Sequence, residues 1–142
     1  MMEIARKRHI RLNSEEIGYM NLLVNVANAI PKDCFSDGNT VVFLVEGGKI
    51  GAAIGKEGKN ANKLRKILNK NVEILEYGES PEQFVRNAFK GKEIKAIEIQ
   101  EDSLEIQLSP EEKSAALQNP SRIRRLKKAL ERNYRIKNFR IR

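Results

Sequence analysis

Tryptophan is absent from this chain of 142 residues, and histidine and cysteine occur once each, as His9 and Cys34. A lone cysteine excludes an internal disulfide framework and suits a reducing compartment. One Cys and one His cannot build a zinc finger, a zinc ribbon or a zinc deaminase centre. A serine–histidine triad would have to recruit His9 from a basic N-terminal stretch, where an exposed strand or arm residue is the plainer reading. No catalytic residue, metal or cofactor is therefore expected, and the chain is not expected to be an enzyme. Aromatics make up only 6% of residues, which argues against a fold that reads bases on an aromatic platform. The longest strongly apolar run, Val41 to Val45, is far short of a membrane span. The basic N-terminal dozen has no apolar stretch behind it, so no signal peptide is expected. A cytoplasmic protein with no membrane partner follows as the expectation.

Charge is what the chain has in excess. Lysine and arginine number 27 against 19 acids, a formal net charge of +8. That surplus favours an anionic partner, nucleic acid first. It is distributed in blocks: −1 over residues 1–48, +6 over 49–70, −7 over 73–112 and +10 over 113–142. Both basic blocks contain apolar periodicity, which excludes a simple electrostatic tail. Ala61, Leu64 and Leu68 in the first, and Ile123, Leu126 and Leu130 in the second, follow a three-then-four spacing. Each block reads as an amphipathic helix with a basic outer face, one ending near Asn69 and the other near Arg132-Asn133.

The material around these helices repeats as well. Asn13-Ser14-Glu15-Glu16 caps a helix with Ile17, Met20, Val24 and Ala27 on one face. Ser80-Pro81-Glu82-Gln83 reads as a capping box opening a helix that buries Phe84, Val85, Ala88 and Phe89. Each is followed by strand, turn, strand: Cys34-Phe35 then Thr40 to Val45 in one half, Ile94 to Gln100 then Leu104 to Leu108 in the other. A short helix from about Lys49 to Ile54, and another opened by the box Ser109-Pro110-Glu111-Glu112, precede the basic helices. A terminal strand closes each half, through Val72, Ile74 and Leu75 or through Phe139 and Ile141. Two α-β-β-α-α-β units are predicted, 1–78 and 79–142, in the α+β class, each with a three-stranded sheet carrying its helices on one face.

In the first half the two short helices are joined by Gly55-Lys56-Glu57-Gly58. A Gly-x-x-Gly turn lets a sugar-phosphate backbone approach the peptide closely, because no Cβ stands in the way. The helix that follows aims its free N–H groups and positive dipole end at the same place. Lys56, Lys59 and Lys63 add formal charge, and an apolar wall of helix and strand offers a groove for bases. The whole reads as a clamp for a short single strand. The P-loop and Gly-x-Gly-x-x-Gly patterns are absent, and the G-x-x-x-G of Gly51 and Gly55 has flanks too polar for a membrane.

The string Ala-Ala-Ile-Gly-Lys-Glu-Gly-Lys-Asn resembles the G-x-x-G loop of a KH domain, and the order of elements resembles the type II arrangement. Two such units, the opening Ile10-Arg11-Leu12-Asn13-Ser14-Glu15-Glu16 and the stretch from Glu76-Tyr77 to Asn87 are similar to the archaeal NusA-like proteins. That resemblance implies single-stranded RNA binding in transcription elongation and termination, with RNA polymerase as a further partner and the chain as a monomer. The alternative is a KH-domain component of the ribosome or its assembly path. The implied RNA-binding residues are Ile50, Gly51, Ile54, Gly55, Lys56, Glu57, Gly58, Lys59, Asn60 and Lys63. Glu57 is an oddity, an acid expected to point away from phosphate.

The second unit departs from the pattern. Its corresponding turn reads Leu117-Gln118-Asn119-Pro120-Ser121-Arg122-Ile123, without glycine and one residue shorter. Proline removes an N–H donor where a clamp would need one. Either this unit is a structural brace, or it grips phosphates with the side chains of Arg122, Arg124 and Arg125. The charge of the block favours the second.

Overall fold

The computed structural model describes residues 10–142, so the expectation for His9 lies outside the described residues. The chain forms two compact units that meet in sequence at Gly78 and Glu79.

Residues 11–78 begin with helix α1, Ser14–Ala27. Its start is a full capping box: the Glu16 amide donates to Asn13 Oδ1 at 2.8 Å, and the Asn13 amide donates to Glu16 Oε1 at 3.1 Å. This reciprocal pair satisfies two of the donors left over at a helix start. It also turns Glu16 inward, to 8% exposure. The buried stripe of α1 consequently runs through Glu16 and Leu23, with Met20 and Ala27 half-buried, and Ile17 is 48% exposed. The predicted face of Ile17, Met20, Val24 and Ala27 is therefore rotated by about one residue. The cause is compositional. Apolar residues occupy nearly every side of α1, so periodicity alone does not select a face.

Strands β1, Asp33–Asp37, and β2, Thr40–Glu46, form an antiparallel hairpin with Cys34 opposite Phe43. The connection is only Gly38-Asn39, shorter than the predicted four-residue turn, with Gly38 at φ +57° as a tight hairpin demands. Helix α2, Ile50–Ile54, and helix α3, Lys59–Leu68, follow, and strand β3, Asn71–Tyr77, pairs parallel to β2 with Phe43 opposite Ile74. The sheet order is β1-β2-β3. Central strand β2 is buried at every position from Thr40 to Val45, which is why its sequence is a continuous apolar run rather than an alternating one. Leu23, Val41, Phe43, Ala53, Leu64 and Val72 join helices and sheet in one core. Each fully buried large aliphatic side chain of this kind contributes about 1.5–3 kcal/mol.

Residues 79–142 repeat the order: α4, Pro81–Ala88; β4, Ile94–Gln100; β5, Ser103–Leu108; α5, Pro110–Leu117; α6, Pro120–Tyr134; β6, Asn138–Ile141. Strand β5 lies between β4, antiparallel, and β6, parallel. Leu104, Ile106, Leu126, Leu130 and Ile136 are buried, and Phe84 meets Tyr134 at a ring-centroid distance of 5.4 Å. Helix α6 runs slightly past its predicted end, to Tyr134, because Asn133 and Tyr134 are both buried. The two predicted capping boxes here are one-sided. Ser80 and Ser109 accept the amides of Gln83 and Glu112. The side chain of Gln83 donates instead to Asn87 at 2.9 Å, and that of Glu112 pairs with Lys92 at 3.6 Å.

Candidate nucleic-acid interface

The turn between α2 and α3 has the backbone its glycines permit. Gly55 stands at φ +82°, ψ 164°, a conformation essentially closed to residues with a Cβ. Glu57 at φ +55° and Gly58 at φ +74° are left-handed. Within the turn, the Gly55 amide donates to Gly51 O at 2.8 Å, the Gly58 amide to Gly55 O at 3.0 Å, and the Lys59 amide to Lys56 O. The two central amides, of Lys56 and Glu57, meet no acceptor among the described residues. No side chain caps the start of α3, where Gly58 is the N-cap. The tip is thus an exposed pair of unspent N–H donors at the positive end of a ten-residue helix.

The other predicted residues fall around this tip in different ways. Lys56, Lys59 and Lys63 are exposed, as is Glu57. Gly51 lies open, with nothing within 4 Å of where its Cβ would be. Ile50 and Ile54 are half-buried, and Ile50 packs against the core. Asn60 does not project outward with the lysines: its Nδ2 donates to Ala52 O at 2.9 Å, back across the turn. Two residues escaped the sequence reading. Arg65 donates to Asn62 Oδ1 at 2.8 Å and to Val72 O at 3.1 Å, tying α3 to β3, which pairs on one side only. Ile67, 53% exposed on α3, leaves an apolar surface among lysines. Its position off the Ala61-Leu64-Leu68 seam was the available signal.

The corresponding turn between α5 and α6 is built on opposite terms. Asn119 caps α6, its Oδ1 accepting the Arg122 amide at 3.3 Å and the Ser121 hydroxyl at 3.1 Å. Pro120 at the first helical position has no N–H to offer. Arg122 turns away from the tip. Its guanidinium donates to Ala88 O at 2.8 Å and lies 5.8 Å from the Phe89 ring centroid, which closes the C-terminus of α4. Arg124 is exposed and Arg125 half-buried. Among the described residues, no three His, Cys, Asp or Glu side chains form a metal-binding group, and no helix is long and apolar enough to cross a membrane.

Comparison with known proteins gives consistent relatives. A family profile described as KH domain matches residues 19–104. A protein of Methanococcus vannielii described as probable transcription termination protein NusA is 36% identical over 88 residues, 62% of this chain and 51% of that protein. One of the same description from Methanocaldococcus jannaschii is 38% identical over 80 residues, 56% of this chain and 44% of that protein. The chain therefore spans about half the length of these two relatives. A Halobacterium salinarum protein of that description is 28% identical over 111 residues, 76% of this chain and 80% of its own. A solved structure described as the crystal structure of APE1850 superposes with a TM-score of 0.81 at 28% identity, covering 92% of this chain and 100% of that one.

Proposed function

This chain belongs to the KH-domain family, and from that premise we propose that it is a NusA-like protein whose first unit, 11–78, clamps single-stranded RNA during transcription elongation and termination. The α-β-β-α-α-β order of both units is read as the type II KH arrangement. The observation that carries the function is the turn tip: the Lys56 and Glu57 amides meet no acceptor among the described residues, and the exposed Lys56, Lys59 and Lys63 lie on the turn and the first half of α3. A phosphodiester is the ligand such a site suits. Its oxygens accept backbone N–H groups at a helix start, and its charge is neutralised by lysine. Nothing in the proposed role requires a reaction, a metal or a cofactor. The protein is proposed to act in the cytoplasm as a monomer, with RNA polymerase as its protein partner.

The test is an anisotropy titration of the whole chain against an RNA single strand and against the duplex of the same sequence, over a range of salt. Tighter binding to the single strand is expected, with log affinity falling linearly as log salt rises, by about 0.7 per phosphate neutralised. Equal binding to duplex, or a flat salt response, would contradict the clamp. Co-purification separates the biological settings. RNA polymerase in the eluate supports transcription, and small-subunit ribosomal particles without polymerase would overturn it.

A further inference from the structure

The clamp turn is made from segments that do not hold themselves. Helix α2 has five residues, too few to persist on its own hydrogen bonds. Then come Gly55, Lys56, Glu57 and Gly58, three of them at positive φ. Glycine loses more backbone freedom on ordering than any other residue. Left alone, such a segment would sample many conformations, and a phosphate would have to order it at the moment of binding.

Asn60 supplies the restraint. It lies in the first turn of α3, yet its Nδ2 reaches eight residues back to Ala52 O at 2.9 Å. Ala52 O is a carbonyl at the end of α2, one of the acceptors a helix terminus leaves over. One hydrogen bond therefore satisfies the end of α2 and fixes it to the beginning of α3, with the tip as the loop between. Gly55 makes this possible. A Cβ there would stand 2.8 Å from Asn60 N and 2.9 Å from Asn60 Cγ, closer than real Cβ atoms come, and 3.0 Å from Asn60 Nδ2. Gly58 has no such role, since a Cβ on it would meet only Asn62 Nδ2, at 3.6 Å. In the second unit the residue at the same place, one before the seam, is Arg122, and its guanidinium donates to Ala88 O of α4 instead.

The geometry points to Asn60 as a positioning residue, not an RNA contact: with Gly55 it forms a staple that presets the Lys56 and Glu57 amides for a phosphate. The inference rests on the RNA-clamp reading, and its first measurement is independent of RNA. Asn60→Leu keeps the shape and removes the donor, Asn60→Ala guards against misfit, and Asn60→Gln keeps a donor on a longer stem. In the RNA-free chain, 15N relaxation should show lower order at residues 55–58 in the Leu and Ala variants and unchanged order in β1 and β2. Affinity for a single-stranded oligouridylate should fall about tenfold, the cost of ordering the turn on binding, with the salt slope unchanged. Asn60→Gln should bind more tightly than Asn60→Leu. Lost affinity with the free turn as ordered as in wild type would make Asn60 a direct contact and overturn the proposal. So would a disordered turn with undiminished affinity, or Gln binding no better than Leu. If the wild type bound no RNA, the clamp reading would fail, whereas unchanged order of the free turn in the variants would refute the staple by itself.

Discussion

The two inter-helix turns of this chain share a place in the fold and differ in where their polar groups go. At residues 55–58, glycines open the backbone and leave the Lys56 and Glu57 amides unspent. At residues 117–120, Asn119 absorbs a donor of α6, proline deletes another, and Arg122 binds Ala88 O within its own unit. The first turn leaves two donors without an acceptor among the described residues, and the second uses its polar groups to finish its own helices. Formal charge ranks the two the other way, +6 against +10. Charge sets how strongly a polyanion is attracted, and the geometry of donors sets where a phosphate can be held. The notion of Arg122 as a phosphate contact does not fit a guanidinium tied to the end of α4.

Gly55→Ala should be costliest, about 2–3 kcal/mol in urea unfolding, because the new Cβ meets both a forbidden backbone conformation and the Asn60 amide. Gly58→Ala, at a left-handed position with room for a Cβ, should cost about 1 kcal/mol. Equal costs at the two glycines would refute their different roles. On the other side of the comparison, Arg122→Ala should fall between the two glycine variants. It removes a charged hydrogen bond to Ala88 O and should lower stability by about 1.5 kcal/mol, with RNA affinity hardly moved. A large affinity loss at unchanged stability would return Arg122 to the RNA surface. The smallest effect separates the open alternatives for the second unit. If α6 grips phosphate with side chains, replacing Arg124 and Arg125 by alanine should weaken RNA binding more than replacing Lys92 and Lys95. The reverse order would make the second unit a brace.

Much of this was readable from the residues. Helices α3 and α6 have sparse leucines set among lysines and arginines, so their seams stand out. The hairpins are bounded by Gly38-Asn39 and Glu101-Asp102, where the left-handed Gly38 and Glu101 occupy the turns. Helix α1 was legible as a helix but not in its facing, because apolar residues surround it and the Asn13–Glu16 pair decides the rotation. Local pattern also shows the first half of a cap but not the second. Ser80 and Ser109 behave as serine N-caps do, while Gln83 and Glu112 find other partners in Asn87 and Lys92. Asn60 was implied as an RNA-binding residue. Its true partner is a carbonyl in a different helix, and no spacing rule announces that contact. The G-x-x-G was visible, and what distinguishes its two glycines required coordinates.

The most direct test of the central claim is the affinity of Gly58→Asp for single-stranded RNA, measured by anisotropy beside wild type with circular dichroism as the check on folding. Aspartate tolerates left-handed backbone, so the unit should stay folded. Its carboxylate would stand beside the tip amides and repel phosphate. Affinity should fall by at least about tenfold, equivalent to 1.4 kcal/mol. A folded variant that binds RNA as tightly as wild type would contradict the claim.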